Sequence, residues 1–256
     1  MHFEEYGDTS APLLMFLHGG GVSGWMWDKQ VQHFTNYHCI VPDLPEQGKS
    51  GNTENFSIKR SAEMLLALIE AKAQNKQVIV IGFSLGAQIA VQMVSMKSHM
   101  IDYAIVNSAL VRPMPFSKSF ISLSVKCTYP LINIKSFSKL QAKTLYVDQD
   151  YFEQYYRDSA AMKCETLVRI LQENMAFHIP EQFHKAESKI LITVGEKEKG
   201  IMKKSAADLV NNNPNCKGVI LPNIGHGVSL AKPDFFNRMV EGWIKEEKLP
   251  EGKVIS

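Results

Sequence analysis

One serine of the chain lies in a short glycine-containing segment where its hydroxyl could act as a nucleophile. The segment Gly82–Gly86 reads GFSLG and places Ser84 between an apolar run, QVIVI at 77–81, and a helical stretch that starts near Ala87. A serine at so sharp a turn from strand to helix must adopt strained backbone angles, and the turn pushes its hydroxyl outward. The flanking glycines carry no side chains that would clash there. The pattern therefore predicts nucleophilic catalysis by Ser84.

A serine nucleophile requires a base that takes its proton. His226 lies in the segment NIGHG at 223–227, just after the apolar run GVIL at 218–221. A histidine on a loop past a strand end can reach a serine at the same edge of a sheet. The sequence therefore predicts His226 as the base, whereas His18 is interpreted as a residue that braces its own loop.

The base in turn needs an acid that fixes its tautomer and stabilises its protonated form. The segment GEKE at 195–198 follows the apolar run ILITV at 190–194, which is where such an acid is expected. Glu196 and Glu198 are both candidates, because either carboxylate could lie near the end of that strand.

Acyl transfer also requires hydrogen-bond donors aimed at the oxygen that gains negative charge. The backbone N–H of Leu85, directly after Ser84, is one expected donor. The glycines of the segment HGGG at 18–21 follow the apolar run LLMFL at 13–17. The backbone N–H of Gly20 in this loop is the second expected donor of an oxyanion hole.

The candidate catalytic residues must be positioned by the strands and helices of the fold. Short apolar runs alternate along the chain with amphipathic helical segments. Continuous apolar strands of this kind indicate a doubly wound, mostly parallel sheet that helices cover on both faces. The ends of parallel strands meet at one edge, where ligand sites collect. The predicted strands lie at 13–17, 38–42, 77–81, 103–106, 190–194 and 218–221, with a weak edge strand at 2–6.

The alternation is interrupted between residues 112 and 189. The later part of this region, from Asp150 to Met175, is helical and rich in aromatic residues. It predicts a helical lid over residues 112–189, inserted into a core domain made of residues 1–111 and 190–256. An apolar substrate pocket is expected between the two, and its predicted lining is Trp25, Phe83, Tyr129, Tyr155 and Met162.

Composition excludes several other classes of function. The chain has 256 residues and a formal net charge of +2, so neither nucleic acid nor a membrane is an expected partner. Its four cysteines have no metal-site spacing, and neither a metal nor an organic cofactor is expected. Since no signal-peptide pattern and no apolar run of ~20 residues occurs, a cytoplasmic location is predicted.

Together these motifs resemble the α/β-hydrolase superfamily, with its order of serine, acid and histidine along the chain. The segment from Cys39 to Ser50 is similar to the family pattern PDLxGxGxS, although Glu46 replaces a glycine. The family acid falls three residues after the glycine that ends its strand, and this implies Glu198 rather than Glu196. Family members more often have aspartate there.

The resemblance implies a serine hydrolase that cleaves a small to medium, largely apolar carboxylic ester. The loop at 18–21 with the segment SGW at 23–25 resembles both esterases and carbon–carbon bond hydrolases of the superfamily. Ser84 excludes members with an aspartate nucleophile, such as dehalogenases. A carbon–carbon bond hydrolase of a diketone and a small-molecule receptor with slow turnover are the alternatives. The sequence indicates no oligomeric state.

Overall fold

Eight strands form one sheet in the computed structural model of the chain, which describes residues 1–51, 55–114 and 118–255. Their spatial order is β1-β3-β2-β4-β5-β6-β7-β8, and β1 and β8 are antiparallel to their neighbours. The strands are β1 (Phe3–Tyr6), β2 (Leu13–Leu17), β3 (His38–Pro42), β4 (Val78–Phe83), β5 (Tyr103–Asn107), β6 (Lys189–Gly195), β7 (Cys216–Leu221) and β8 (Lys253–Ile255). The predicted parallel sheet is confirmed, and only the short edge strand β8 was not predicted.

Helices connect the strands and cover the sheet. They are α1 (Asp28–His33), α2 (Ile58–Ala73), α3 (Leu85–Lys97), α4 (Lys118–Thr128), α5 (Lys135–Thr144), α6 (Gln149–Ala161), α7 (Cys164–Ala176), α8 (Gly200–Asn212), α9 (Val228–Ala231) and α10 (Pro233–Glu246). The Ser57 side chain caps α2 by accepting from the Arg60 N–H at 3.1 Å. Pro233 occupies the first turn of α10, where its missing N–H is not needed.

The apolar strands are buried on both faces of the sheet. All five residues of β2 are fully buried, and alternate side chains enter different parts of the core. Leu13 and Met15 pack in the cluster that includes the inner faces of α2 and α3. Leu14 and Phe16 pack in the cluster that includes the inner face of α10. This two-sided burial explains why the strands are continuous apolar runs without alternating polar residues.

Helices α4 to α7 all lie between β5 and β6, in the region of the predicted lid. We call residues 108–188, which join these strands, the helical insert; residues 115–117 of it lie outside the described part. The helices α6 and α7 fall where the aromatic-rich sequence predicts helix. A 3₁₀ turn over Tyr129–Asn133 contains Pro130 near its start and separates α4 from α5. The insert follows β5 and precedes β6, so it emerges at the edge where the strand carboxyl ends meet.

Candidate active site

Ser84 lies at a strained turn between β4 and α3. Its backbone angles are φ 53° and ψ −110°, a conformation that costs a non-glycine residue about 1–3 kcal/mol. The Ser84 N–H donates to the Asn107 carbonyl at 2.9 Å and fixes the turn. A Cβ on Gly82 would lie 2.4 Å from the Gly86 carbonyl oxygen, and one on Gly86 would lie 2.3 Å from the Leu17 carbonyl oxygen. A side chain at either position would clash with the neighbouring backbone, so both positions require glycine.

Ser84, His226 and Glu198 form a continuous chain of hydrogen bonds, although they come from distant parts of the sequence. His226 Nε2 lies 3.0 Å from Ser84 Oγ, and His226 Nδ1 lies 2.7 Å from Glu198 Oε2. Since an ionised carboxylate only accepts, Nδ1 carries the ring proton and Nε2 is left to accept from the serine hydroxyl. This arrangement can remove a proton from Ser84.

Glu198 is held in its ionised form. Burial favours the neutral acid, and the carboxylate side chain is 3% exposed. Against this, hydrogen bonds from His226, from the Ser108 hydroxyl at 2.6 Å and from the Gly195 N–H at 2.9 Å favour the carboxylate. Although desolvation is the largest single effect and acts upward, the net result is a pKa for Glu198 below its usual value of 4.5.

The structure separates the two candidate acids that the sequence left open. Glu196 is exposed and accepts from the Asn223 N–H at 2.9 Å, whereas Glu198 turns inward to His226. Ser108, which supports Glu198, was not singled out from the sequence. It is a polar residue just past the end of β5, at the same edge as Ser84, and that position could have indicated it.

His18 braces the loop that contains Gly20, as the sequence suggests. Its Nε2 accepts from the Leu44 N–H at 2.9 Å, so Nδ1 carries the proton and donates to the Gly19 carbonyl at 2.7 Å. Complete burial lowers the pKa of His18 and keeps the ring neutral. The Gly19 carbonyl and the Gly20 N–H belong to one planar trans peptide, so they point in opposite directions. The bond to His18 therefore turns the Gly20 N–H away from the core.

A cavity of about 370 Å³ opens beside the Ser84 hydroxyl. Gly20 and Leu85 border it with Ser84, and the Leu85 N–H is free of intrahelical bonding because it starts α3. Gly21 also borders it, and the rest of the lining comes from the helical insert and has no charged side chain among the described residues. These lining residues are Ile132, Gln141, Thr144, Leu145, Tyr155, Ser159, Met162, Leu167, Ile170, Leu171 and Asn174.

Two of the five predicted pocket residues, Tyr155 and Met162, border this cavity, and the other three lie outside its lining. The Trp25 indole instead donates to Asp158 at 2.8 Å and stacks on Tyr151 with ring centroids 5.4 Å apart.

The other two predicted rings also have structural partners. Phe83 packs against His226, with the two ring centroids 4.9 Å apart. The Tyr129 hydroxyl donates to the Met162 carbonyl at 2.8 Å and joins two parts of the insert. These three aromatic residues therefore hold the loops and the insert in place rather than border the cavity.

The insert also contacts the loop that carries His226, a contact that the sequence did not reveal. The Gly225 N–H donates to the Tyr146 hydroxyl at 3.2 Å. On the other side of the histidine, a Cβ on Gly227 would lie 2.5 Å from the Leu145 carbonyl oxygen. Residues 145 and 146 of the insert therefore pack against both neighbours of His226.

Glu46, which replaces a glycine of the family pattern, connects the core to α7. It keeps a positive φ of 63°, the backbone region that glycine adopts most easily. Its carboxylate accepts two hydrogen bonds from the Arg169 guanidinium at 2.8 and 2.9 Å, one from Thr166 at 2.9 Å and one from the Phe56 N–H at 2.7 Å. Burial acts to raise its pKa, but these donors outweigh burial and leave the pKa of Glu46 lowered.

The Glu46→Gln variant should lower the free energy of unfolding by about 1–3 kcal/mol at pH 7, since a buried carboxylate loses its charge-assisted bonds. The folded-state pKa of Glu46 lies below its usual 4.5, so its contribution is complete above that value and is lost as the pH falls through the folded-state pKa. The difference from wild type should therefore shrink towards pH 3. Urea unfolding at several pH values measures it, with the exposed Glu63→Gln as control. A difference that does not change with pH would contradict an ionic contribution.

Comparison with known proteins agrees with this architecture. A family model described as "alpha/beta hydrolase fold" matches residues 12–168 of the chain. The solved structure of MGS-M2, an alpha/beta hydrolase enzyme from a Medee basin deep-sea metagenome library, has a TM-score of 0.80 and 21% sequence identity. The alignment covers 97% of this chain and 95% of that one. At this identity the likeness establishes the fold alone.

Two curated relatives are more similar in sequence but over shorter regions. An AB hydrolase superfamily protein of Gibberella zeae is 35% identical over 86 residues, which are 32% of this chain and 30% of that protein. A pimeloyl-(acyl-carrier protein) methyl ester esterase of Vibrio vulnificus is 32% identical over 94 residues, which are 36% of this chain and 34% of the esterase. The matched region thus spans about a third of the length of each relative.

Proposed function

The chain belongs to the α/β-hydrolase fold family, and from that premise we propose that it is a serine hydrolase of small to medium, largely apolar carboxylic esters. The observation that carries the proposal is the hydrogen-bonded chain from Ser84 through His226 to Glu198. A hydroxyl, an imidazole and a buried carboxylate in this order are the components of acyl transfer through a covalent intermediate. The similarity to an esterase of Vibrio vulnificus supports the same reaction class.

The reaction proceeds in two steps. His226 Nε2 takes the hydroxyl proton while Ser84 Oγ attacks the ester carbonyl carbon, and the carbonyl oxygen becomes an oxyanion. The N–H groups of Gly20 and Leu85 stabilise this oxyanion. His226 then protonates the departing alkoxide, which leaves an ester on Ser84. In the second step His226 removes a proton from water, and the resulting hydroxide attacks the carbonyl carbon of the acyl-enzyme. The bond to Ser84 Oγ then breaks, the carboxylic acid leaves, and His226 returns the proton to Ser84.

The cavity sets the class of substrate. Its lining from the insert is uncharged and more apolar than polar, which favours a neutral acyl or alkyl group over a charged one. At roughly 30 Å³ for each non-hydrogen atom, about 370 Å³ accommodates on the order of a dozen such atoms. We therefore assign the enzyme a short or medium acyl chain rather than a long fatty acyl chain.

A series of p-nitrophenyl esters of increasing acyl length tests this assignment. We expect kcat/KM to be highest between roughly four and eight acyl carbons, and to fall for chains longer than about twelve, because these exceed the cavity. A vinylogous diketone, assayed in parallel, represents carbon–carbon bond cleavage. Negligible turnover of every ester would contradict the proposal, and turnover of the diketone alone would assign the alternative reaction.

A substitution in the cavity lining tests whether the preferred acyl length is set by this cavity. Ile170 packs over Gly20, with its Cγ2 3.5 Å from the position of a Cβ there, so Ile170→Ala should shift the preferred acyl length upward. Ile121→Ala is the matched control, since Ile121 is buried in α4 but does not border the cavity. An equal shift in both variants would indicate general loosening of the insert.

A further inference from the structure

The basic residues of the chain are unevenly distributed. Residues 113–147 contain five lysines and no aspartate or glutamate. Because the whole chain has 28 basic and 26 acidic side chains, the remainder is net acidic. The small overall charge of +2 gives no reason to expect an anionic partner. It is nevertheless the sum of a basic segment and a net acidic remainder. This segment includes α4, the 3₁₀ turn Tyr129–Asn133 and α5.

The same segment exposes an unusual number of apolar side chains. In the described part of the chain, seven large apolar residues are exposed, and five of them lie between residues 120 and 140. Leu123 and Leu140 are each 64% exposed. The five residues are Phe120, Leu123, Leu131, Ile134 and Leu140.

Helix α4 is apolar on two faces. Ile121 and Val125 are buried, whereas Leu123 lies on the opposite side of the helix and is exposed. A helix that covers a core needs only one apolar stripe, and apolar residues on its outer side indicate a further contact. The outer side of α4, with the turn and α5, is called the α4–α5 surface below.

Lysines accompany the exposed apolar residues on this surface. Lys126, Lys139 and Lys143 are exposed and form no ion pair within the described residues, whereas Lys135 is paired with Glu153 at 2.9 Å. The opposite side of the same segment borders the catalytic cavity through Ile132, and α5 contributes Gln141 and Thr144. The α4–α5 surface therefore forms the outside of the wall that lines the cavity.

We propose that the α4–α5 surface docks on lipid bilayers that contain anionic phospholipids. Exposed leucines would insert between the headgroups, and the unpaired lysines would contact lipid phosphates. A second copy of the chain fits less well, because a symmetric dimer pairs a patch with itself, residues 113–147 contribute no acid, and the neighbouring Glu153 of α6 is already paired with Lys135. None of the described helices is long and apolar enough to cross a membrane.

Docking would bring the cavity wall to the bilayer, where amphiphilic esters are concentrated. The contact itself uses no atom of Ser84, His226 or Glu198. Binding can therefore be measured on the Ser84→Ala protein as well as on the wild type, and failure of the proposed hydrolysis would leave the binding result intact.

Co-sedimentation with vesicles tests the proposal. Vesicles of phosphatidylcholine with about 30% phosphatidylglycerol should pellet the wild type and the Ser84→Ala protein at ~0.1 M salt, whereas pure phosphatidylcholine should not. The Leu123→Asp/Leu140→Asp protein should bind at least about tenfold more weakly. The Lys126→Gln/Lys139→Gln/Lys143→Gln protein should show a similar loss, since each lysine adds to the attraction.

Matched changes elsewhere on the protein provide the controls. Val254→Asp introduces one such negative charge at an exposed apolar residue of β8, and Lys59→Gln/Lys204→Gln/Lys253→Gln removes three exposed lysines outside the surface. Both controls should bind like the wild type. Circular dichroism verifies that each variant is folded, and hydrolysis of a soluble ester verifies it again for the variants that keep Ser84.

Three outcomes would overturn the proposal. The first is no binding to anionic vesicles, and the second is equal binding of the surface variants and their controls. The third is a dimer in light scattering that the leucine changes abolish while vesicles remain unbound, which would assign the surface to self-association. Binding to an acidic protein without any binding to vesicles would likewise assign it to another class of partner.

Discussion

The Ser84→Ala protein should hydrolyse p-nitrophenyl esters at least about 10⁴-fold more slowly than the wild type, because it lacks the oxygen that forms the acyl-enzyme. The N–H groups of Gly20 and Leu85 remain, so a small rate above that of water is expected from stabilisation of the oxyanion alone. Steady-state kcat measures the loss. A fluorophosphonate probe, which reacts with activated serines, should add its mass to the wild type and not to the variant.

The matched control is Ser95→Ala, a change of the same size on α3, the helix that starts directly after Ser84. The Ser95 hydroxyl donates only to the Val91 carbonyl of its own helix, at 2.6 Å. Its loss should leave kcat within about twofold, as expected for a substitution away from the site. If Ser84→Ala hydrolysed esters like the wild type, the nucleophile would have to be another group.

The parts of the site that the sequence predicts are those fixed by local patterns at strand ends. Ser84 and His226 each follow an apolar strand, and parallel strands bring their carboxyl ends to one edge. The sheet geometry then determines that these side chains approach each other. Glu198 follows by the same rule, although only the fold shows that Glu196 turns to solvent.

The parts that the sequence does not predict depend on contacts between distant segments. The sequence suggests that the Trp25 ring borders the pocket. Its indole N–H instead donates to Asp158 on α6, 133 residues away in the sequence, and this bond fixes the position of the ring. Glu46 is a similar case, because its partner Arg169 lies on α7, and no local pattern connects the two. Neither partner belongs to a recognisable motif, so composition and periodicity carry no information about either contact.

The α4–α5 surface illustrates a different limit. Its lysines are visible in the sequence, but whole-chain charge averages them against acids elsewhere. Its leucines are also visible, but apolar residues in a helix are expected to be buried until a structure shows which side of the helix covers the core. Exposure of Leu123 and Leu140 is thus a property of how the insert packs, which no local sequence pattern determines.

The acid of the hydrogen-bonded chain gives the second large expected effect. The Glu198→Gln protein should lose about 10³–10⁴-fold in kcat, because a neutral amide neither fixes the tautomer of His226 nor stabilises its protonated form. Ser108 and Gly195 both donate to Oε1 and His226 faces Oε2, so the amide nitrogen removes either the acceptor of the first two or the acceptor of His226. Ester hydrolysis at pH 7 measures the change in kcat.

Glu196→Gln is an internal control, since it alters charge by the same amount two residues away on the same loop. Among the described residues the Glu196 carboxylate accepts from the Asn223 N–H and has no contact with His226, so kcat should stay within about twofold of the wild type. Glu198→Asp should fall between the two, because it keeps the charge but its carboxylate is one methylene farther from His226. Equal losses in Glu196→Gln and Glu198→Gln would instead point to a general effect of loop charge, since two carboxylates with such different surroundings have no other property in common.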